Sequence, residues 1–146
     1  MPPETIQFAA IVFSGLALVP SAAHVMELPN KIHMSKDDYL NAQRLYRGWQ
    51  FAGVVVVLAI VATGLMAAQS QHSGAGTQAG AWLAFACVSA TQAVFWVFTF
   101  PVNRVTKNWT MAPANWMSLR RRWEFSHAVS AAFNLVAFCA AVLAAL

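Results

Sequence analysis

Charge is the scarcest commodity in this chain. Of its 146 residues, nine are Lys or Arg and five are Asp or Glu, 10% in all, against 59% hydrophobic. So apolar a composition, gathered into blocks, excludes an ordinary water-soluble fold and points to an integral membrane protein. Cysteine is nearly absent. Cys87 and Cys139 both lie inside apolar blocks without CxxC or other ligand spacing, so they read as small core residues. No basic segment precedes the first apolar block, which carries Glu4, so a cleaved signal peptide is not expected. The second and third blocks have no carboxylate and no central Gly or Pro break, features that a transporter would place at mid-membrane.

What is there is a set of four apolar blocks, at about residues 6–26, 49–68, 80–100 and 125–146. Each approaches or exceeds the roughly 20 residues that cross the ~30 Å hydrocarbon layer as a helix. The expected fold is all-α: a single membrane domain over residues 1–146, built as a four-transmembrane-helix bundle. All nine basic residues fall in two loops, residues 27–48 (Lys31, Lys36, Arg44, Arg47) and residues 101–124 (Arg104, Lys107, Arg120, Arg121, Arg122). The positive-inside rule puts these loops in the cytoplasm and both termini outside, in a bacterial inner membrane. Topology and lipid headgroups thus account for the net charge of +4, and no nucleic-acid partner is needed. Residues 45–51 (LYRGWQF) resemble residues 119–125 (LRRRWEF), and Pro29 and Pro101 each follow an apolar block. Two helical hairpins in parallel orientation would produce this pattern. A short interfacial helix is expected at residues 113–122, capping the bundle with Trp116 and Leu119.

Two motifs mirror each other across the chain: His24 with Glu27, and Glu124 with His127. Each sets an imidazole and a carboxylate three residues apart, on one helical face. If the first and last helices are antiparallel neighbours, the histidines meet at one depth and the glutamates at another. That would suit a metal held by His24, Glu27, Glu124 and His127, non-haem iron or another transition metal, without completing a di-iron set. Haem held between His24 and His127 ranks lower. Metal-free acid–base use of the same residues and plain interfacial pairing of Glu124 with Arg120 are the remaining readings. Polar residues of the third and fourth helices, among them Thr91, Gln92, Thr99, Ser130 and Asn134, are candidates to line a substrate cavity or to bond between helices.

The densest pattern is the second basic loop, with Asn103, Trp109, Trp116 and Trp123 spaced through it. A third helix ending in Pro-x-Asn (Pro101, Asn103), spaced tryptophans, and Trp123 four residues before His127 resemble the anthrone-oxygenase-like family of small four-helix membrane proteins. The motif match is confined to residues 101–132, and Ser126 and Val129 stand where that family has an Asn before the His and a basic residue after it. The resemblance implies oxidation by O2 of an electron-rich aromatic such as an anthrone or hydroquinone. The expected function is therefore a membrane-embedded oxidoreductase acting on a hydrophobic small molecule. His24 and His127 are its catalytic or cofactor-binding candidates, and Asn103 and Arg120 orient substrate or loop. The alternatives are a non-catalytic subunit of a larger membrane complex or homo-oligomer, and a transporter or lipid-binding protein.

Overall fold

The computed structural model describes residues 2–146. Four helical spans are long and apolar enough to cross a membrane: Pro3–Lys31, Trp49–His72, Ala75–Thr106 and Trp116–Ala145. No strand occurs among the described residues. We label the α-helices α1 (Pro3–Lys31), α2 (Lys36–Gln43), α3 (Ala52–Gln69), α4 (Ala75–Val94), α5 (Phe100–Thr106) and α6 (Trp116–Ala145). A π-helical turn, Phe95–Thr99, joins α4 to α5 without a break in the rod.

The spans pack in a ring. α1 lies against α3, α3 against α4, α4 against α6, and α6 returns to α1. The side chains that make this ring are small. Ala59, Ala62, Ala81, Ala84, Ala137, Ala140 and Ala144 are buried, while Phe8, Val19, Val54, Val57, Leu83 and Leu143 point outward. In lipid, large apolar groups gain nothing by turning inward, so close backbone approach and dispersion hold the helices together. The α4–α6 contact shows how close. A Cβ added at Gly80 would stand 3.1 Å from Ala144 Cβ and 3.3 Å from the Ala140 carbonyl oxygen. Asn134 of α6 adds a polar rivet, donating through Nδ2 to the Ala17 carbonyl (3.2 Å) and to Ser21 Oγ (3.1 Å) of α1.

Several expected boundaries move. The first span does not stop at residue 26 or at Pro29; both Pro20 and Pro29 lie inside α1. Glu27 and Lys31 pair across one turn at 3.5 Å, which carries the helix past the apolar block. The third span likewise continues through Pro101 to Thr106. Pro101 has no N–H to offer the carbonyl four residues back, that of Val97. Arg122 of α6 donates to that carbonyl instead.

The expected separate interfacial helix at residues 113–122 is not formed. Trp116 to Arg122 are the opening turns of α6 itself, because nothing in Leu119-Arg120-Arg121-Arg122 breaks the helix. The short helix sits in the other basic loop, as α2, where Ser35 Oγ caps Asp38 N at 3.3 Å. The two resembling heptapeptides also differ in form. Residues 119–125 are continuous helix, whereas residues 45–51 are two 3-10 turns parted by Gly48 at φ 92°. That left-handed position suits glycine, and its counterpart in the other segment is Arg122. Lys107, Asn108 and Trp109 turn the chain into the second basic loop at φ 49°, 53° and 59°, a strained run for side-chain-bearing residues. Thr106 Oγ1 accepts from Trp109 N at 3.1 Å and helps to hold it.

Candidate functional site

The first and last spans do touch, and the two motifs meet where they were expected to. His24 on α1 and His127 on α6 lie ring against ring, with centroids 4.2 Å apart and planes inclined by 32°. Trp123 closes one side, 4.9 Å from His24 and 4.3 Å from His127. Tyr46 and Trp49 close the other, at 4.6 and 5.8 Å from His24. An aromatic box therefore surrounds the imidazole pair at the basic end of the bundle.

The centre of the site is Lys31, only 2% exposed. Its Nζ lies 3.0 Å from Glu124 Oε1, 3.5 Å from Glu27 Oε2, 3.4 Å from His24 Nδ1 and 3.0 Å from Tyr46 Oη. Helical spacing accounts for the convergence: His24, Glu27 and Lys31 are three and four residues apart and share one face of α1. Glu124, 1% exposed, also accepts from Tyr39 Oη at 2.9 Å, and Tyr46 Oη donates to Glu27. A buried carboxylate is tolerable only when paired and hydrogen-bonded, and Glu124 has both. The phenols are held protonated. Burial first, then the Glu124 charge and hydrogen bond, push Tyr39 above its ordinary range. Burial, then the hydrogen bond to Glu27, do the same to Tyr46.

This arrangement does not form the expected metal set of His24, Glu27, Glu124 and His127. Among the described residues no three His, Cys, Asp or Glu side chains converge on one point. The reason is visible in the donors themselves. Glu27, Glu124 and His24 Nδ1 all turn toward the Lys31 amine, so a protein cation already stands where a metal would bridge them. Bis-histidine haem does not fit either, because the macrocycle would have to pass between two rings already in contact.

Asn103 and Arg120 are both near the site, each one step removed. Asn103 Oδ1 accepts from Trp123 Nε1 at 2.8 Å and so fixes the indole against both histidines. Arg120 stacks over Trp116 (4.6 Å) and Tyr39 (5.4 Å) and donates through Nη1 to the carbonyl of Met34 (2.8 Å), with Lys31 O at 3.4 Å. It fastens the chain just beyond α1 to α6. Arg120 also faces an open groove of about 590 Å3, lined with Ile32, Asn115, Met117, Ser118 and Arg121. The inner polar residues divide by role: Thr99 pairs with Ser126 at 2.8 Å between helices, and Thr91 bonds back to its own helix at Val88 O.

Three residues of the site escape a reading by motif: Lys31, Tyr39 and Tyr46. Lys31 had a signal, its four-residue spacing from Glu27, which is hidden if Pro29 is taken as the end of the helix. The tyrosines carry none, since α2 and the following 3-10 turn deliver them from a loop. Among the buried atoms without a partner here are Nε2 of His127 and Oε2 of Glu124. A buried imidazole nitrogen without a partner is a ready acceptor for a proton from a bound molecule. Set against known proteins, the chain matches no family model, no curated protein and no solved structure.

Proposed function

We propose that this chain is an integral membrane oxidoreductase that removes a proton from a hydrophobic aromatic substrate, of the hydroquinone or anthrone class, as the step that opens it to oxidation by O2. In this reading the site lies at the cytoplasmic end with both termini outside, which the two basic loops that flank it support. The observation that carries the reading is the unpartnered Nε2 of His127, buried in an aromatic box beside a second histidine. His127 takes the proton, Lys31 and Glu124 supply a fixed local charge pair, and the indole of Trp123 holds both imidazoles in place. On the same reading the open groove beside Arg120 receives the substrate's apolar part at Ile32 and Met117; His127 does not line it. The resemblance of residues 101–132 to the anthrone-oxygenase-like family points to the same substrate class.

The test is oxygen consumption by purified protein with a hydroquinone and with an anthrone, wild type beside His127→Gln. Loss of a general base typically costs 10²–10⁴-fold. Turnover in the wild type that falls at least about a hundredfold in the variant supports the reading. Turnover that survives in His127→Gln, or folded wild-type protein inert toward both substrates, overturns it; inert protein that co-purifies with a partner chain favours the non-catalytic subunit.

A further inference from the structure

The buried cluster has one carboxylate that is not buried. Glu124 is 1% exposed, whereas the Glu27 side chain is 41% exposed, and both lie against Lys31 Nζ. We propose that Glu27 is the port through which His24 exchanges protons with water on the basic side of the membrane, by way of Lys31 and Tyr46. This rests on the acid–base reading of the site.

The links are continuous. His24 Nδ1 is 3.4 Å from Lys31 Nζ, Lys31 Nζ donates to Tyr46 Oη at 3.0 Å, and Tyr46 Oη donates to Glu27 Oε2. A direct step from Lys31 to Glu27 spans 3.5 Å. Lys31, the cation of the cluster, faces His24 Nδ1 as the donor, so net movement runs inward. Lys31 passes a proton to His24 Nδ1 and, as the amine, takes the hydroxyl proton of Tyr46; Tyr46 is refilled by Glu27, which takes a proton from water. One proton has reached His24, and Lys31, Tyr46 and Glu27 each hold the number they began with. No oxidant or other reactant enters.

Glu124 does not serve this purpose. It accepts from Lys31 and Tyr39, and its remaining oxygen is buried without a partner, so it leads nowhere. Its part is to hold the Lys31 amine between His24 and the port. The aromatic rings of Trp49 and Trp123 flank His24 and offer no proton acceptor on those sides. Sequence supplies the geometry directly, since Glu27 is three residues beyond His24 and four before Lys31, slightly less and slightly more than one helical turn.

The experiment needs no substrate. Detergent-solubilised protein labelled with ¹⁵N-histidine gives the rate at which the His24 ring N–H exchanges with water, assigned by comparison with His24→Gln. Glu27→Gln is expected to slow that exchange at least tenfold, and Tyr46→Phe, which removes the shorter link, to slow it in the same direction. Asp37→Asn, at an exposed carboxylate away from the cluster, should leave it unchanged. Wild-type exchange in folded Glu27→Gln overturns the proposal. Should that variant not fold, wild-type exchange in Glu27→Ala overturns it equally. Because turnover is not the readout, a failed port leaves the His127 assay standing, and failure of that assay leaves this measurement decisive for the port.

Discussion

Lys31 carries more of this protein's polar structure than any residue its motifs single out. Removing it leaves Glu124 as an uncompensated charge in the interior, and breaking a buried pair from one side costs about 3–5 kcal/mol. Lys31→Met should therefore lower the thermal unfolding midpoint in detergent sharply. Lys31→Met combined with Glu124→Gln should lower it less than Lys31→Met alone, because the amide carries no charge to strand. The phenols give a second prediction at this scale. Tyr39 and Tyr46 are the chain's two tyrosines, and both are held protonated above the usual range in the fold. In the unfolded chain they ionise near pH 10. Above that pH the unfolded state holds fewer protons than the native one, so stability falls as pH rises; below it the contribution is complete. Tyrosinate absorbance should therefore stay flat through about pH 10 and rise only together with loss of helical circular dichroism. A reversible rise near pH 10 with the helices intact would contradict the buried hydroxyl bonds.

At the scale of elements, two devices hold the helices in place and each can be probed alone. The first is the exchange at the π-helical turn, where Arg122 serves the Val97 carbonyl that Pro101 cannot. Arg122→Ala should cost about 0.5–1.5 kcal/mol. The same substitution made on Pro101→Ala should cost less, since alanine restores an N–H for that carbonyl; equal penalties on both backgrounds would show that the two are not coupled. The second is the α4–α6 contact at Gly80. Valine there meets Ala144 and the Ala140 backbone, and overpacking of this kind costs about 1–3 kcal/mol. Gly53, whose Cβ would meet nothing within 4 Å, is the control that should accept valine with only its local helix preference changed.

For the whole molecule, the orientation we propose rests on where the nine basic residues lie. Cysteine introduced at Ser73, in the loop between the second and third spans, should react with a membrane-impermeant maleimide on intact cells, and cysteine at Lys107 should react only after lysis. The reverse pattern would turn the bundle over and move the His24 site to the outer face. The ring of four spans also explains why a polar site is possible at this end at all. The basic loops fold back over it, placing Tyr39, Trp109 and Trp123 in one buried cluster beside the buried Lys31–Glu124 pair.

Which parts were legible in advance follows from the range of the forces involved. The number of spans and their rough placement follow from the cost of unpaired backbone in lipid, a local property of each stretch of chain. The His24–Glu27 and Glu124–His127 pairs are likewise local, and their convergence needed only that α1 and α6 be neighbours. The helix ends were not legible, because Glu27 pairing with Lys31 and Arg122 reaching Val97 allow helix to continue past residues that usually end it. Nor was the chemistry of the site. Sequence alone presented two imidazoles and two carboxylates without saying what lay between them. Only packing brought Lys31, with Tyr39 and Tyr46 from a distant loop, into that space, and a cation supplied by the chain itself stands where the ligand set would have met.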